Sequence, residues 1–361
     1  MSIKRCVAVV FALFLLPASL PKAAPPDVVY GQVTPFAELP EGVRNPEGLA
    51  VNPVTGEVYG GTFDVRAPAT LRNNQLLRYS NNGKLLAQRS FGQTPLTGVE
   101  FKDGQIYVLN FGGSKLQRMP ANFTSTTPVE DLLSFAALTP PAATPRVDNQ
   151  DGSQDVITYG SKGMPGPNGM VFDKQNNLYI SDSFQGAIYR VDKATSCGPC
   201  TLQTVARDSL FATSGALPFG ANGLAFNAAE TVLYINNAGD GRVLRMPMPG
   251  GPVTIFAESV FGADGLLFHD GYLWVASNQS DAMVALDEQG RVRARIGQFL
   301  GIGPDGAPKG LLFPSGGAVQ GKRMIVANLA FPLTSTTGDE WEEEVTRWTL
   351  VSFEIPRLNT Q

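Results

Sequence analysis

The sequence predicts an all-β fold, a six-bladed β-propeller closed by an N-terminal strand, and three observations support this prediction. Apolar and polar residues alternate along most of the chain between Gly, Asn and Asp turns, as in half-buried strands. The 361 residues include 39 Gly and 27 Pro, which favours short strands and tight turns over long helices. A glycine-led segment also recurs six times, at spacings typical of propeller blades.

The repeat begins with a small or acidic residue, continues with Gly and runs into an apolar strand. The six openings are Pro46-Glu47-Gly48, Leu96-Thr97-Gly98, Pro167-Asn168-Gly169, Ala221-Asn222-Gly223, Ala263-Asp264-Gly265 and Pro314-Ser315-Gly316. The glycines follow one another at intervals of 50, 71, 54, 42 and 51 residues. Apart from the second, these intervals match one four-stranded blade each.

Each unit continues with a second and a third alternating strand, then a more polar fourth strand such as Pro252–Ala257. The early segment Gly31–Ala37 has the character of a fourth strand. We expect it to supply the outer strand of the last blade, so that the N-terminus closes the ring and few strand edges stay open.

The first 24 residues have the composition of a secretory signal peptide. Lys4 and Arg5 precede an apolar run over 7–16, and small residues follow as far as Ala24. The alternative, an uncleaved anchor, is disfavoured because about ten apolar residues cannot span roughly 30 Å of hydrocarbon. We therefore expect a secreted or periplasmic protein without stable membrane insertion, with residues 25–361 forming one propeller domain.

The composition also limits the partners. Charged residues make up 17% of the chain and hydrophobic residues 43%, which excludes a disordered chain. Lys and Arg number 28 against 32 Asp and Glu, for a net charge of -4, and no basic run is present. Nucleic acid is therefore not an expected partner.

The long second interval contains an insertion over 120–165, rich in Pro, Thr, Ala and Ser. Because it leads to Asn168, it is either a lid beside the axis or a disordered surface loop. A second polar stretch, Thr334–Val345, is interpreted as a solvated loop without a chemical role.

Two cysteines of the mature chain lie in the sequence Cys197-Gly198-Pro199-Cys200, which has the spacing of a thioredoxin-type redox centre. Such a centre needs its first sulfur at a helix N-terminus, whereas here both flanks alternate like strands. We expect a hairpin loop in which Cys197 and Cys200 form a local disulfide, with the redox centre as the alternative.

The residue before each repeat glycine is expected to face the central channel, because glycine opens the innermost strand of each blade. These six residues are Glu47, Thr97, Asn168, Asn222, Asp264 and Ser315. Two carboxylates and two carboxamides from different blades are hard ligands of the type that Ca²⁺ or a similar divalent cation prefers. The alternative is that Asn-Gly and Asp-Gly serve turn geometry alone.

These openings resemble the superfamily of six-bladed calcium propellers that includes regucalcin, luciferin-regenerating enzyme, gluconolactonases, diisopropylfluorophosphatase and paraoxonases. The resemblance covers nearly all of the mature chain. It implies a catalytic Ca²⁺ held by Glu47, Asn168, Asn222 and Asp264. It also implies metal-assisted hydrolysis of a lactone or related small ester, with Asp264 as nucleophile or base.

On the same resemblance, Thr97 and Ser315 would orient water or substrate. From their position near the ends of second strands, we expect six further residues to shape the substrate pocket, with a role in turns as the alternative for each: Phe63, Asn110, Asp182, Asn237, Asn278 and Asn328. The single histidine, His269, is expected in a turn away from the channel, which disfavours the histidine dyad of paraoxonases. The alternative function is a non-catalytic binding or scaffold propeller, similar to NHL repeats or strictosidine-synthase-like proteins.

Overall fold

Six β-sheets are arranged in a ring in the computed structural model, which describes residues 27–140, 146–157, 164–334 and 340–358. Each inner strand packs against the inner strand of the next blade, and that of the sixth packs against that of the first. The prediction of an all-β, six-bladed propeller is therefore confirmed. The predicted signal peptide, 1–24, lies outside the described residues.

The strands follow the chain in blade order. Two short strands come first, β1 (Val29–Gly31) and β2 (Thr34–Glu38). Blade 1 has β3 (Pro46–Val51), β4 (Val58–Thr62), β5 (Asn74–Tyr79) and β6 (Leu85–Gly92). Blade 2 has β7 (Leu96–Lys102), β8 (Gln105–Asn110), β9 (Lys115–Pro120) and β10 (Glu130–Ser134), and a hairpin follows, β11 (Arg146–Asp148) and β12 (Gln154–Val156).

The second half continues in the same way. Blade 3 has β13 (Pro167–Phe172), β14 (Leu178–Asp182), β15 (Ala187–Val191) and β16 (Leu202–Arg207). Blade 4 has β17 (Ala221–Phe226), β18 (Val232–Asn237), β19 (Arg242–Pro247) and β20 (Thr254–Ala257). Blade 5 has β21 (Ala263–His269), β22 (Tyr272–Ser277), β23 (Ala282–Leu286) and β24 (Val292–Ile296). After the hairpin of β25 (Phe299–Ile302) and β26 (Pro308–Gly310), blade 6 has β27 (Pro314–Gln320), β28 (Arg323–Asn328) and β29 (Thr349–Glu354).

The N-terminal strands join the last two blades. β1 pairs in parallel with β24 at the outer edge of blade 5. β2 pairs antiparallel with β29, with Thr34 opposite Ser352 and Glu38 opposite Thr349. The sheet of blade 6 thus has the order β2, β29, β28, β27.

Helical structure in the described residues is limited to short 3-10 turns, at Ala69–Leu71, Ser209–Phe211, Asn278–Ser280 and Trp341–Glu344. None of these described helices is long and apolar enough to cross a bilayer.

The hydrophobic core is divided among the six contacts between neighbouring blades, each of which holds one cluster of buried apolar side chains. In three successive blades a second-strand Tyr lies against a Phe at the end of the next inner strand. The ring centroids are 6.1 Å apart for Tyr59 and Phe101, 5.0 Å for Tyr107 and Phe172, and 5.1 Å for Tyr179 and Phe226. Such pairs add about 0.5–1.5 kcal/mol each to the burial of the rings.

The predicted insertion over 120–165 differs in one respect from the structure. Residues 130–134 form β10, the outer strand of blade 2, so the extra segment begins only after Ser134. The disulfide links Cys197 and Cys200 in the loop between β15 and β16, and the Cys200 N–H donates to Leu132 O of blade 2 at 2.8 Å. This loop therefore holds two neighbouring blades together.

Candidate metal centre

Six polar side chains lie at the start of the six inner strands and form what we call the polar ring. They are Glu47, Thr97, Asn168, Asn222, Asp264 and Ser315. Each is at most 9% exposed. All six line a central channel of about 350 Å³. The repeat has thus brought six side chains far apart in sequence to one level of the ring.

At five of the six positions the following glycine allows neighbouring inner strands to come close, Gly316 being the exception. A Cβ added at Gly48 would lie 2.1 Å from Thr97 O, and one at Gly169 would lie 2.3 Å from Asn222 O. Such distances are shorter than any van der Waals contact, so a side chain is excluded. The close approach draws the polar ring together.

Two hydroxyl groups of the ring hold adjacent blades in register. Thr97 Oγ1 donates to Pro167 O at 2.9 Å, and Ser315 Oγ donates to Glu47 O at 3.0 Å. Both donors are engaged with backbone, which leaves only the hydroxyl lone pairs for a ligand. The assignment of Thr97 and Ser315 to substrate binding stays a prediction.

The two carboxylates of the ring are neighbours in a buried setting. Burial raises the pKa of Asp264 to about 7. Burial and the adjacent Asp264 charge raise the pKa of Glu47 well above its usual range. Among the described residues, neither carboxylate forms an ion pair with Lys, Arg or His, and Glu47 Oε2 is buried without a hydrogen-bond partner. A buried anionic pair of this kind is unstable unless it is protonated or bound to a cation.

Amide groups orient the acidic side chains and each other. Asn278 Nδ2 donates to Asp264 Oδ2 at 3.3 Å, and the Asn222 side chain also hydrogen-bonds this carboxylate. Asn168 Nδ2 donates to Ser183 Oγ at 3.1 Å, and Ser183 Oγ donates to Ala221 O at 2.6 Å. These hydrogen bonds occupy the amide nitrogens, the ends that cannot bind a cation, and favour oxygen as the end offered to a ligand.

The donor set fits a hard divalent cation. Within the described residues, no group of three or more His, Cys, Asp and Glu side chains is placed to hold a metal. The polar ring instead offers two carboxylates and two carboxamides, an all-oxygen set that suits Ca²⁺ or Mg²⁺ better than Zn²⁺. Glu47 Oε2 is the buried oxygen of this set without a hydrogen-bond partner among the described residues, and it is free to bind such a cation.

Two other predicted site residues, Asn110 and Asp182, are the last residues of second strands and hydrogen-bond the turns that follow. Asn110 Oδ1 accepts from Gly113 N at 2.8 Å, and Asp182 Oδ1 accepts from Gly166 N at 2.9 Å and Gln185 N at 3.0 Å. Neither residue is among those lining the channel. Their polar groups hold the loops at the ends of β8 and β14, and their assignment to substrate binding stays untested.

The expectation for His269 was wrong. His269 is the last residue of β21 and lines the central channel, together with Glu100 and Phe268. An inner strand runs along the whole channel, so its last residue can face the opening opposite to the polar ring. Nε2 of His269 lies 3.4 Å from Asp270 Oδ2.

A group of aromatic residues, which we call the phenylalanine cluster, lies beside the polar ring, and only Phe63 of this group was predicted from the sequence to shape the substrate pocket. Its members are Phe63, Phe111, Phe184, Phe219, Phe313 and Phe331. Four of them follow the ends of second strands, a recurrence that was visible in the sequence. A small cavity of about 30 Å³ lies between four cluster members and five residues of the polar ring.

Solved structures with the same architecture were found by comparison of the fold. A luciferin-regenerating enzyme matches at TM-score 0.58 and 12% identity, covering 86% of this chain and 91% of that one. Regucalcin, a calcium-binding protein from Agrobacterium tumefaciens strain C58, matches at TM-score 0.58 and 14% identity, covering 90% and 94%. A gluconolactonase from Xanthomonas campestris matches at TM-score 0.51 and 14% identity, covering 87% of each chain.

These similarities show that the chain has the six-bladed propeller fold of those proteins. No protein-family model matches the sequence, and no curated protein sequence matches it.

Proposed function

We propose that this protein is a calcium-dependent hydrolase of lactones or related small esters, with the cation held by Glu47, Asn168, Asn222 and Asp264. The observation that carries the proposal is the buried pair of carboxylates, beside which the described part of the chain places no cationic side chain and no hydrogen-bond partner for Glu47 Oε2. The fold shared with a calcium-binding protein and a gluconolactonase supports it.

In the proposed reaction the bound cation and Asp264 have different roles. A bound cation would supply Lewis-acid polarisation of the substrate oxygen. Asp264, oriented by Asn222 and Asn278, either takes the proton of an attacking water or attacks the carbonyl carbon itself. In both routes the acyl C–O bond breaks, and a proton must reach the leaving oxygen.

The two routes differ in where water oxygen appears. After a single turnover in ¹⁸O-labelled water, the base route leaves the label in the product carboxyl group. The nucleophile route forms a mixed anhydride between Asp264 and the acyl group. When water opens it at Asp264 Cγ, the label stays in the Asp264 carboxylate and the product keeps the unlabelled Asp264 oxygen, so label in Asp264 identifies this route. Mass spectrometry of the product and of the peptide containing Asp264 separates the two.

The central test is hydrolysis of a panel of lactones and aryl esters, before and after metal removal with a chelator. We expect chelation to abolish turnover and added calcium to restore it. Asp264→Asn should reduce kcat/KM by about 10³-fold or more. The control Asp192→Asn removes the same charge from the outer turn of blade 3, where Asp192 pairs with Arg190, and should leave turnover unchanged.

The alternative, a non-catalytic scaffold, predicts a different result in the same assay. A scaffold would hydrolyse none of the panel, and calcium would not raise its melting temperature. Full turnover after metal stripping would contradict the proposed mechanism.

We also propose that the protein is exported and that residues 1–24 are removed. Support comes from the charged, apolar and small-residue order of that segment and from the Cys197–Cys200 disulfide, a bond that persists in oxidising compartments. N-terminal sequencing of protein from the periplasm or culture medium tests this, and an intact Met1 would contradict it.

Finally, we propose that β2 closes the ring from the N-terminus. Its antiparallel register with β29 supports this, because the pair makes one sheet from the two ends of the described chain.

A further inference from the structure

The surface of the polar ring that faces away from the channel is covered by apolar side chains. The cavity of about 30 Å³ there is bounded by Glu47, Asp264 and Asn278 on its polar side. On its other side it is bounded by Phe63, Leu217, Phe219, Phe313, Leu329 and Phe331. Anything that reaches the two carboxylates from this side must therefore lie against hydrocarbon.

The phenylalanine cluster is continuous. The ring centroids of Phe63 are 5.3 Å from Phe111 and 5.9 Å from Phe331, and Phe184 lies 5.6 Å from Phe111 and 5.5 Å from Phe219. The members come from loops of several blades, so no single sheet requires this cluster for its own core. An apolar group assembled from separate elements over a polar site is typical of a ligand pocket.

The side chains of this apolar surface offer no hydrogen bond to a ligand. A hydroxyl group placed among Phe63, Phe219 and Phe331 would lose its hydrogen bonds to water without replacement. An alkyl or aryl group would instead gain free energy from burial. The cavity therefore discriminates between lactones by the substituents on the lactone ring and not by the ester group that is hydrolysed.

Phe219 is the member positioned to admit a ligand. A cavity of about 30 Å³ holds only one or two waters, so at least one ring must move. Phe63, Phe111, Phe184, Phe313 and Phe331 are at most 8% exposed, whereas Phe219 is half-buried. The backbone beside it is fixed, because Gly239 N donates to Phe219 O at 2.8 Å and Gly220 N donates to Ser183 O at 3.2 Å. The movement is thus a rotation of the Phe219 side chain.

We propose that the phenylalanine cluster is the substrate subsite of this hydrolase, that it selects lactones or esters with an alkyl or aryl substituent over polyhydroxylated sugar lactones, and that Phe219 is the side chain that opens it. This inference rests on the proposed function, since it assumes that the polar ring is the hydrolytic site.

Two substrates with the same reacting ring test the selectivity. δ-Decalactone and D-glucono-δ-lactone are both six-membered lactones, and they differ in carrying a pentyl chain or hydroxyl groups. With calcium present and spontaneous hydrolysis subtracted, we expect kcat/KM to be at least 100-fold higher for δ-decalactone. An equal or higher value for the sugar lactone would overturn the inference while the hydrolase stands. Hydrolysis of neither lactone, nor of any aryl ester, would instead overturn the proposed function.

Substitution of Phe219 tests the residue itself. Phe219→Ser places a hydroxyl at the cavity, and we expect the ratio of the two kcat/KM values to fall at least 10-fold, whereas Phe219→Leu should keep it. Phe256→Ser is the matched control, because Phe256 is also half-buried and packs edge to face on Tyr234, but on the outer strand of blade 4.

A purely structural role for Phe219 would lower both rates together and leave the ratio unchanged, which would overturn the assignment. Circular dichroism and thermal melting establish that each variant is folded. If Phe219→Ser does not fold, Phe219→Asn supplies the same comparison, and an unchanged ratio there has the same meaning.

Discussion

Burial of the two acidic residues of the polar ring lowers the stability of the metal-free protein, and this effect can be measured. Without a cation, burial raises the pKa of both carboxyl groups, and the adjacent Asp264 charge raises that of Glu47 further. Residues that destabilise a fold when unliganded and stabilise it when liganded are characteristic of binding sites. The same pair therefore links protein stability to calcium.

Replacing Glu47 by Gln should stabilise the metal-free protein and destroy its response to calcium. We expect the metal-free variant to be more stable by about 1–3 kcal/mol, because one buried charge is removed. The wild type should gain about 2.7 kcal/mol at a calcium concentration 100 times its Kd. The variant, whose calcium affinity falls roughly 100-fold or more with the lost charge, should gain almost none. Thermal melting with chelator and with calcium measures both effects, and Glu343→Gln on the exposed surface is the control.

The buried carboxyl group of Glu100 should make the stability of the protein depend on pH. It lines the channel, and burial raises its pKa to about 8, against about 4.5 when unfolded. Between these values the folded state holds the proton that the unfolded state has released, so stability falls as pH rises from about 4.5 to about 8. Below this window the carboxyl is neutral in both states and costs nothing.

We therefore expect Glu100→Gln to match the wild type near pH 4.5 and to exceed it by about 1–2 kcal/mol near pH 8, a figure reduced because water enters the channel. Denaturant unfolding in the presence of chelator, across this pH range, measures the difference. A constant difference between the two proteins at all pH values would contradict the assignment.

The polar ring could be located from sequence because each member precedes a repeat glycine, and identical blades place identical positions at one level. The phenylalanine cluster could be located only in part, because four members follow second strands whereas Phe219 and Phe313 belong to loops that do not repeat. Asn110 and Asp182 were predicted to bind substrate, and their sequence pattern does not separate that role from a role in turns. Asn and Asp at strand ends satisfy turn backbone as readily as they bind ligands, and in this structure they do the former.

The six inner strands depend on their glycines to different degrees. A Cβ at Gly48 would lie 2.1 Å from Thr97 O, whereas a Cβ at Gly316 would meet only Gly265 Cα, at 3.9 Å. The contact between blades 6 and 1 is therefore less crowded at this level than that between blades 1 and 2.

The same Gly→Ala substitution should therefore change stability by different amounts at these two positions. Gly48→Ala should destabilise the protein by about 3 kcal/mol or more, because the backbone of the next inner strand must move. Gly316→Ala should change stability by less than about 1 kcal/mol, since the methyl group meets ordinary van der Waals distances. Chemical denaturation of the two variants measures this, and equal losses would show that the close approach of strands is not what Gly48 provides.

Among the elements, those that repeat were predictable and those that occur once were not. The hairpins of β11 and β12, between blades 2 and 3, and of β25 and β26, between blades 5 and 6, are not part of the blade repeat, so internal comparison did not reveal them. β10 lies in a Pro- and Thr-rich stretch and was assigned to the insertion, because its sequence departs from the other outer strands. Its pairing with β9 is provided by blade 2 and not by its own composition.

The propeller as a unit has no single core. Its six apolar clusters lie between blades, so each blade is stabilised by its two neighbours and the ring must be complete for every cluster to be buried. The contact between blades 6 and 1 has a special position, because its strands come from both ends of the chain. Ala37 of β2 and Leu350 of β29 share the cluster at this contact with Val58 of blade 1.

Removal of β2 should therefore destabilise the entire ring. A chain that begins at Leu39 loses the pairing with β29 and leaves that strand as an open edge. We expect its melting temperature to fall by about 5 °C or more and its tendency to associate to increase. A chain that begins at Val33 loses only β1, the three-residue strand on the outside of blade 5, and should melt close to a chain that begins at Asp27. Calorimetry and light scattering of the three chains distinguish these outcomes. Equal melting temperatures for all three would mean that contacts among the inner strands alone hold the ring closed.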